Sequence, residues 1–192
     1  MDTLDGLLGL ALGIGLAAAC GFRVFVPLLV AGIASKAGYL ELAGGFAWMG
    51  SNLAIAIFAV ATALEIGAYW IPWVDNALDV VATPSAVIAG TLVAASTLGD
   101  TAPVLQWTLA AIAGGGAAGM VQTATTVVRQ VSSATTGGLA NPLLSTAEAA
   151  GSATLSVLVI LVPVLGLVLL GAAAWLLLRL VRRRGSVELA AV

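Results

Sequence analysis

Histidine is absent from this chain, and its 192 residues include one cysteine and one lysine. Without an imidazole there is no Ser-His-Asp or Cys-His mechanism and no His-ligated metal or haem. Cys20, alone in an apolar run, excludes both a disulfide framework and a thiolate metal site. Lys36 stands beside Gly and Ser at the end of an apolar stretch, a poor place for a membrane-core Schiff base. Charge is also scarce. Charged residues make up 8% and hydrophobic residues 61% of the chain, against about 25% and about 45–50% in ordinary soluble domains. These proportions exclude a soluble globular enzyme, a disordered chain and a nucleic-acid binder. Any proton or ion chemistry rests on nine carboxylates and six arginines. No cofactor and no metal is expected, and without a nucleophile motif an enzyme is not expected either.

The residues that are present describe a polytopic all-α membrane protein. A helical span takes roughly 20 apolar residues. Five stretches reach that length: residues 6–34, 51–70, 80–98, 102–128 and 152–178. Their apolar residues are continuous rather than alternating, which favours helices over barrel strands. A sixth pass would come from short or re-entrant segments near 72–82 and 141–150. The Ser/Thr/Gly/Asn-rich residues 129–151 read as a linker. Tyr69-Trp70-Ile71-Pro72-Trp73 is an aromatic belt marking a membrane boundary. Residues 1–184 form one transmembrane domain, and 185–192 a short tail.

Positive residues set the expected orientation. The run from Arg179 to Arg184 places the C-terminus in the cytoplasm. Five spans then put Lys36 inside and the N-terminus outside. The expected location is the plasma (inner) membrane. The N-terminus has no basic n-region and reads as a retained span rather than a cleaved signal.

Several polar residues sit where lipid would be. Arg23 lies 18 residues after Asp5 and 13 before Lys36, so on a continuous helix it is roughly 20 Å from Lys36. An arginine at that depth costs at least about 2.5 kcal/mol to insert, and something must offset it. Gly21 and Pro27 flank Arg23 and favour a break in the helix there. Glu65 lies just inside the Tyr69/Trp70 belt and must be paired or neutral. Five straight spans separate it from Arg23 by about 12 Å of depth. Asp75 and Asp79 share a helix face if Pro72 opens a helix. They serve either as first-turn acids favoured by the dipole or as a cation or proton site. Glu148, after Pro142, reads as a solvated acid at a helix start or as part of the same site. Arg129 can snorkel outward. Together, Arg23, Glu65, Asp75, Asp79, Arg129 and Glu148 form the candidate substrate or ion pathway, and Gly21, Pro27, Pro72 and Pro142 the candidate helix breaks.

The segments Pro72 to Asp79 and Pro142 to Glu148 echo one another, each leading into an apolar helix. This suggests two parallel hairpins, 51–98 and 102–178. Two GxxxG motifs, Gly9/Gly13 and Gly115/Gly119, permit close helix packing within the chain or between copies in a homo-oligomer.

The set Gly21-Phe22-Arg23 with Pro27, Glu65, Ile71-Pro72-Trp73-Val74-Asp75-Asn76-Ala77-Leu78-Asp79, Arg129, Asn141-Pro142, Ser145 and Glu148 resembles the small bacterial membrane proteins grouped as domain of unknown function 4126. The resemblance spans roughly residues 6 to 175. It implies an integral membrane protein without an assigned activity. Members often carry an Asp-Lys pair before the Pro, where this chain has Tyr69-Trp70.

Two functions are compatible with this inventory. One is a transporter or permease for a lipid or a small anionic or hydrophobic solute, with Arg23 at the site and Glu65 carrying a proton. The other is an accessory subunit whose charges lock helices together. Membrane lipids are the expected partners in either case, and nucleic acid is not.

Overall fold

The computed structural model describes residues 3–68, 70–99, 101–164, 168 and 175, with backbone alone for residues 3, 72–77 and 79–80. Residues 165–167, 169–174 and 176–178 of the expected fifth span, the basic run 179–184 and the tail 185–192 lie outside the described residues, as do Asp2, Tyr69 and Asp100.

Among the described residues the architecture is all helical. The helices are α1 (Thr3–Cys20), α2 (Phe25–Lys36), α3 (Asn52–Ala68), α4 (Pro72–Thr97), α5 (Pro103–Leu109), α6 (Gly116–Thr136) and α7 (Asn141–Leu161). A 3₁₀ segment, Gly44–Gly50, leads into α3, and a π-helical segment, Ala110–Gly115, joins α5 to α6 in one rod of 34 residues. By length and composition that rod and α7 are apolar enough to cross a membrane. A third span is added if the 3₁₀ segment and α3, bent by 64°, are counted as one. The outer surface is apolar as well. Leu53, Ile57, Val60 and Leu64 form an exposed stripe on α3, a pattern that water-facing helices avoid.

The expected first span, 6–34, is not one helix. It folds back on itself at residues 21–24. Gly15 of α1 packs on Val159 of α7, while Ile33 of α2 faces Val157 and Ile160. Residues 15 and 33 therefore stand at the same height on α7. Likewise Gly9 meets the backbone of Thr97, and the Ala43 N–H donates to the Ser96 carbonyl at 2.8 Å. Both legs of the hairpin thus begin and end at one face of the bundle, here the upper face. The continuous apolarity of 6–34 hides the reversal, because a turn made of Gly21, Phe22, Arg23 and Val24 interrupts hydropathy at a single residue.

Among the described residues six helical legs result, alternately descending and ascending: α1, α2, α3, α4, the α5–α6 rod and α7. The additional leg comes from the first hairpin. Residues 72–82 and 141–150 are not separate re-entrant pieces. They are the opening turns of α4 and α7, where Pro72 and Pro142 occupy first-turn positions that need no amide donor. Pro27 lies in the first turn of α2 for the same reason. The supposed linker 129–151 is helical apart from a short turn at 137–140. Gly137 and Gly138, at φ 64° and 87°, make that turn. The Thr135 and Thr136 hydroxyls donate to the carbonyls of Val131 and Ser132 at 2.9 and 2.8 Å, so these polar residues satisfy themselves within the helix.

The lower half of α1 is the centre of the bundle. Leu16, Ala17, Ala18, Ala19 and Cys20 are all fully buried, which requires neighbours on every side. Small residues let those neighbours approach. A methyl added at Gly9 would stand 2.6 Å from the Thr97 carbonyl oxygen, and one at Gly21 would stand 2.5 Å from that of Ala118. Gly13 faces Ala94, and Gly115 and Gly119 face Val87. Both GxxxG faces are therefore filled by α4 of the same chain. At the upper face the Lys36 ammonium donates to the Asn52 side chain, and the rings of Phe46 and Trp107 pack 5.9 Å apart.

Candidate functional site

Arg23 sits at the tip of the α1–α2 hairpin and is 1% exposed. Its guanidinium points into the interface with α7. One nitrogen, Nη2, donates to the Ser145 hydroxyl at 2.7 Å and to the Ser145 carbonyl at 3.1 Å. The same nitrogen lies 3.0 Å from Oε2 of Glu148. Arg129 reaches Glu148 from α6. Its Nε donates to Oε1 at 3.2 Å, and its Nη2 pairs with Oε2. One carboxylate is thus shared by two guanidiniums in a nearly closed pocket, with Arg129 2% and Glu148 9% exposed. Arg129 does not snorkel outward and Glu148 is not a solvated acid. The short turn at 137–140 folds α7 back against α6 and brings them face to face.

Helical spacing puts these groups on two facing stripes. On α7 the buried polar positions are Asn141, Ser145, Glu148, Ser152 and Ser156, and on α6 they are Gln122, Thr125 and Arg129. Ser152 donates to the Ala19 carbonyl at 2.9 Å, tying α7 to the last turn of α1. Gln122 is absent from the candidates that the sequence offers, and Ser145 enters there only through the family resemblance. Their signal was available in the recurrence of polar residues every three or four positions through two apolar helices.

Glu65 is held by backbone amides and not by this triad. Its carboxylate accepts the Val24 N–H on Oε1 at 2.8 Å and the Phe25 N–H on Oε2 at 3.1 Å. Amides at the start of a helix have no partner within it, and the dipole there favours an anion. Val24 offers no side-chain cap of its own, so a carboxylate from α3 does that work. The 12 Å depth difference expected from straight spans vanishes, because the reversal at 21–24 lies level with Glu65.

Behind Glu65 is a cavity of about 400 Å³ between α3, α4 and α6. Its wall is mostly apolar, including Phe25, Leu64, Leu78 and Val81, with Glu65, Ser85 and Gln122 as polar groups. Arg23, Arg129 and Glu148 are not part of that wall. Asp75 and Asp79 fall in the opening turns of α4, on either side of Leu78 in the chain. Their side chains are outside the described ones. Among the described residues no group of three His, Cys, Asp or Glu is placed to hold a metal ion.

A family model, Domain of unknown function (DUF4126), matches residues 10–183. No curated protein and no solved structure matches the chain.

Proposed function

We propose a function for this chain, which belongs to the domain of unknown function 4126 family, from the geometry around Glu65. In this reading it is a small membrane transporter. Its helical legs lie in the plasma (inner) membrane, the α1–α2 hairpin reaching only part of the way across, with Lys36 and the run Arg179–Arg184 on the cytoplasmic side. The upper face is then cytoplasmic, and the N-terminus lies on the same side, unlike in a five-span arrangement. The solute occupies the cavity of about 400 Å³, a size in the range of small-molecule sites. Glu65 carries the coupled proton. The observation that carries this reading is a carboxylate that both lines the cavity and caps the helix broken at its edge. Irregular backbone at depth, next to a cavity, is a recurring feature of transporter sites.

The Arg23–Glu148–Arg129 group then has a holding role. It joins the hairpin tip, α6 and α7 without facing the cavity. This closure is also what favours the second reading, an accessory subunit whose charges only lock helices.

Flux separates the two readings. Liposomes containing the purified chain are loaded in turn with radiolabelled benzyltrimethylammonium, benzenesulfonate or phenyl glucoside, then diluted. A transporter releases at least one of these well above the rate of protein-free liposomes, and Glu65→Gln removes the dependence of that release on an imposed pH gradient. Release of all three at the protein-free rate would leave the accessory reading in place.

A further inference from the structure

The cavity at Glu65 has a chemistry that selects by charge, and from it we propose that the site takes a monovalent hydrophobic cation of the substituted-ammonium class. This deepens the reading of the cavity as a solute site and rests on it.

Three observations carry the inference. First, the one ionisable side chain in the described wall is a carboxylate. Each of its oxygens accepts one backbone N–H, and a carboxylate has lone pairs beyond those two. Second, the ring of Phe25 lines the same space. An aromatic face with a nearby carboxylate is a recurring environment for ammonium groups, whose charge is attracted to the ring quadrupole. The other lining residues suit an apolar substituent, and the Gln122 and Ser85 side chains add neutral polar contacts.

Third, the guanidiniums nearest to Glu65 are turned to another carboxylate and not to the cavity. The positive charges that could attract an anion, Arg23 and Arg129, face Glu148 and lie outside the cavity wall. An anion entering the cavity would meet Glu65 instead.

Equilibrium dialysis of the full chain in detergent tests this, using benzyltrimethylammonium, benzenesulfonate and benzyl alcohol as probes. The cation should bind at least tenfold more tightly than the other two, and Glu65→Gln should remove that preference. Glu65→Gln alters a helix cap as well as a charge, so Ala61→Phe is the second variant. It fills the cavity from α3 and leaves the cap intact, and it should abolish cation binding. Equal binding of the three probes, preference for the sulfonate, or cation binding that survives Ala61→Phe would each overturn the proposal. Cation binding in detergent without any flux in liposomes would overturn the transporter reading and leave the site standing. Flux of the sulfonate or the glucoside alone would do the reverse.

Discussion

Arg23 and Arg129, 106 positions apart in the chain, meet on one oxygen of Glu148. Glu148 is the member shared by both arginines, so the three are not equivalent. Replacing Glu148 by Leu leaves two guanidiniums facing each other without the carboxylate between them. Breaking a buried ion pair from one side costs about 3–5 kcal/mol, and Glu148→Leu should fall at the top of that range. Arg129→Leu leaves Arg23 and Glu148 as a neutral pair and should cost less than half as much. Arg23→Leu combined with Glu148→Leu should not recover stability, because Arg129 still loses its contacts with Glu148. Unfolding of each variant in mixed micelles gives the order. Equal losses for Glu148→Leu and Arg129→Leu would contradict the shared-carboxylate account.

The hairpin makes a topological prediction. Asp5 and Lys36 belong to the same face, and Thr136 to the opposite one. In a Cys20→Ala background, single cysteines at 5 and 36 should react with a membrane-impermeant maleimide from the same side of sealed vesicles. A cysteine at 136 should react from the other side. Labelling of 5 and 36 from opposite sides would restore a single first span.

Close packing predicts which glycines tolerate a methyl group. Gly21→Ala drives Cβ against the Ala118 carbonyl oxygen, a backbone atom that cannot move aside. Overpacking of this kind costs about 1–3 kcal/mol. Gly116→Ala meets nothing within 4 Å, and alanine is the better helix former by about 1 kcal/mol. Thermal melts should place the two variants on opposite sides of the parent.

The Glu65 cap predicts a local effect at a distance of 40 residues in sequence. Glu65→Ala removes the acceptor from the Val24 and Phe25 amides. Loss of a helix cap is worth about 1 kcal/mol, so hydrogen exchange at those two amides should speed up about fivefold. The amides of Asn52 and Leu53 at the other end of α3 should keep their rates. A uniform change along α3 would mean that Glu65 supports the helix as a whole rather than this junction.

The sequence shows the helical class and the oddness of Arg23, because both follow from solvation cost counted residue by residue. Partners are harder to see. Glu148 and Arg129 sit among Ser, Thr, Gly and Asn, a composition that reads as a linker. Side-chain hydroxyls that bond back to the helix make the same residues compatible with an apolar interior. The reversal at 21–24 is hidden for a related reason. Hydropathy reports how oily a residue is but not which way the chain runs, and Cys20 to Phe25 stays oily through the turn. The echo at Pro72 and Pro142 does mark two ascending helices, α4 and α7, each following a descending partner. The third down-and-up pair, α1–α2, has Pro27 in the first turn of its ascending leg but no carboxylate following it in that helix, so the echo does not extend to it.

The six residues Ala110–Gly115 follow a wider helical coil than the residues on either side. Such a segment acts as one extra residue threaded into an α-helix, and each residue advances an α-helix by about 100°. Everything downstream in the rod is therefore set in phase by that insertion, including Gln122 at the cavity and Arg129 at Glu148. Deleting one residue from this stretch would leave the helix as long and as oily as before to any hydropathy profile, yet it would swing both side chains out of the bundle. A relative of this protein lacking that residue should have found another basic position for its buried acid.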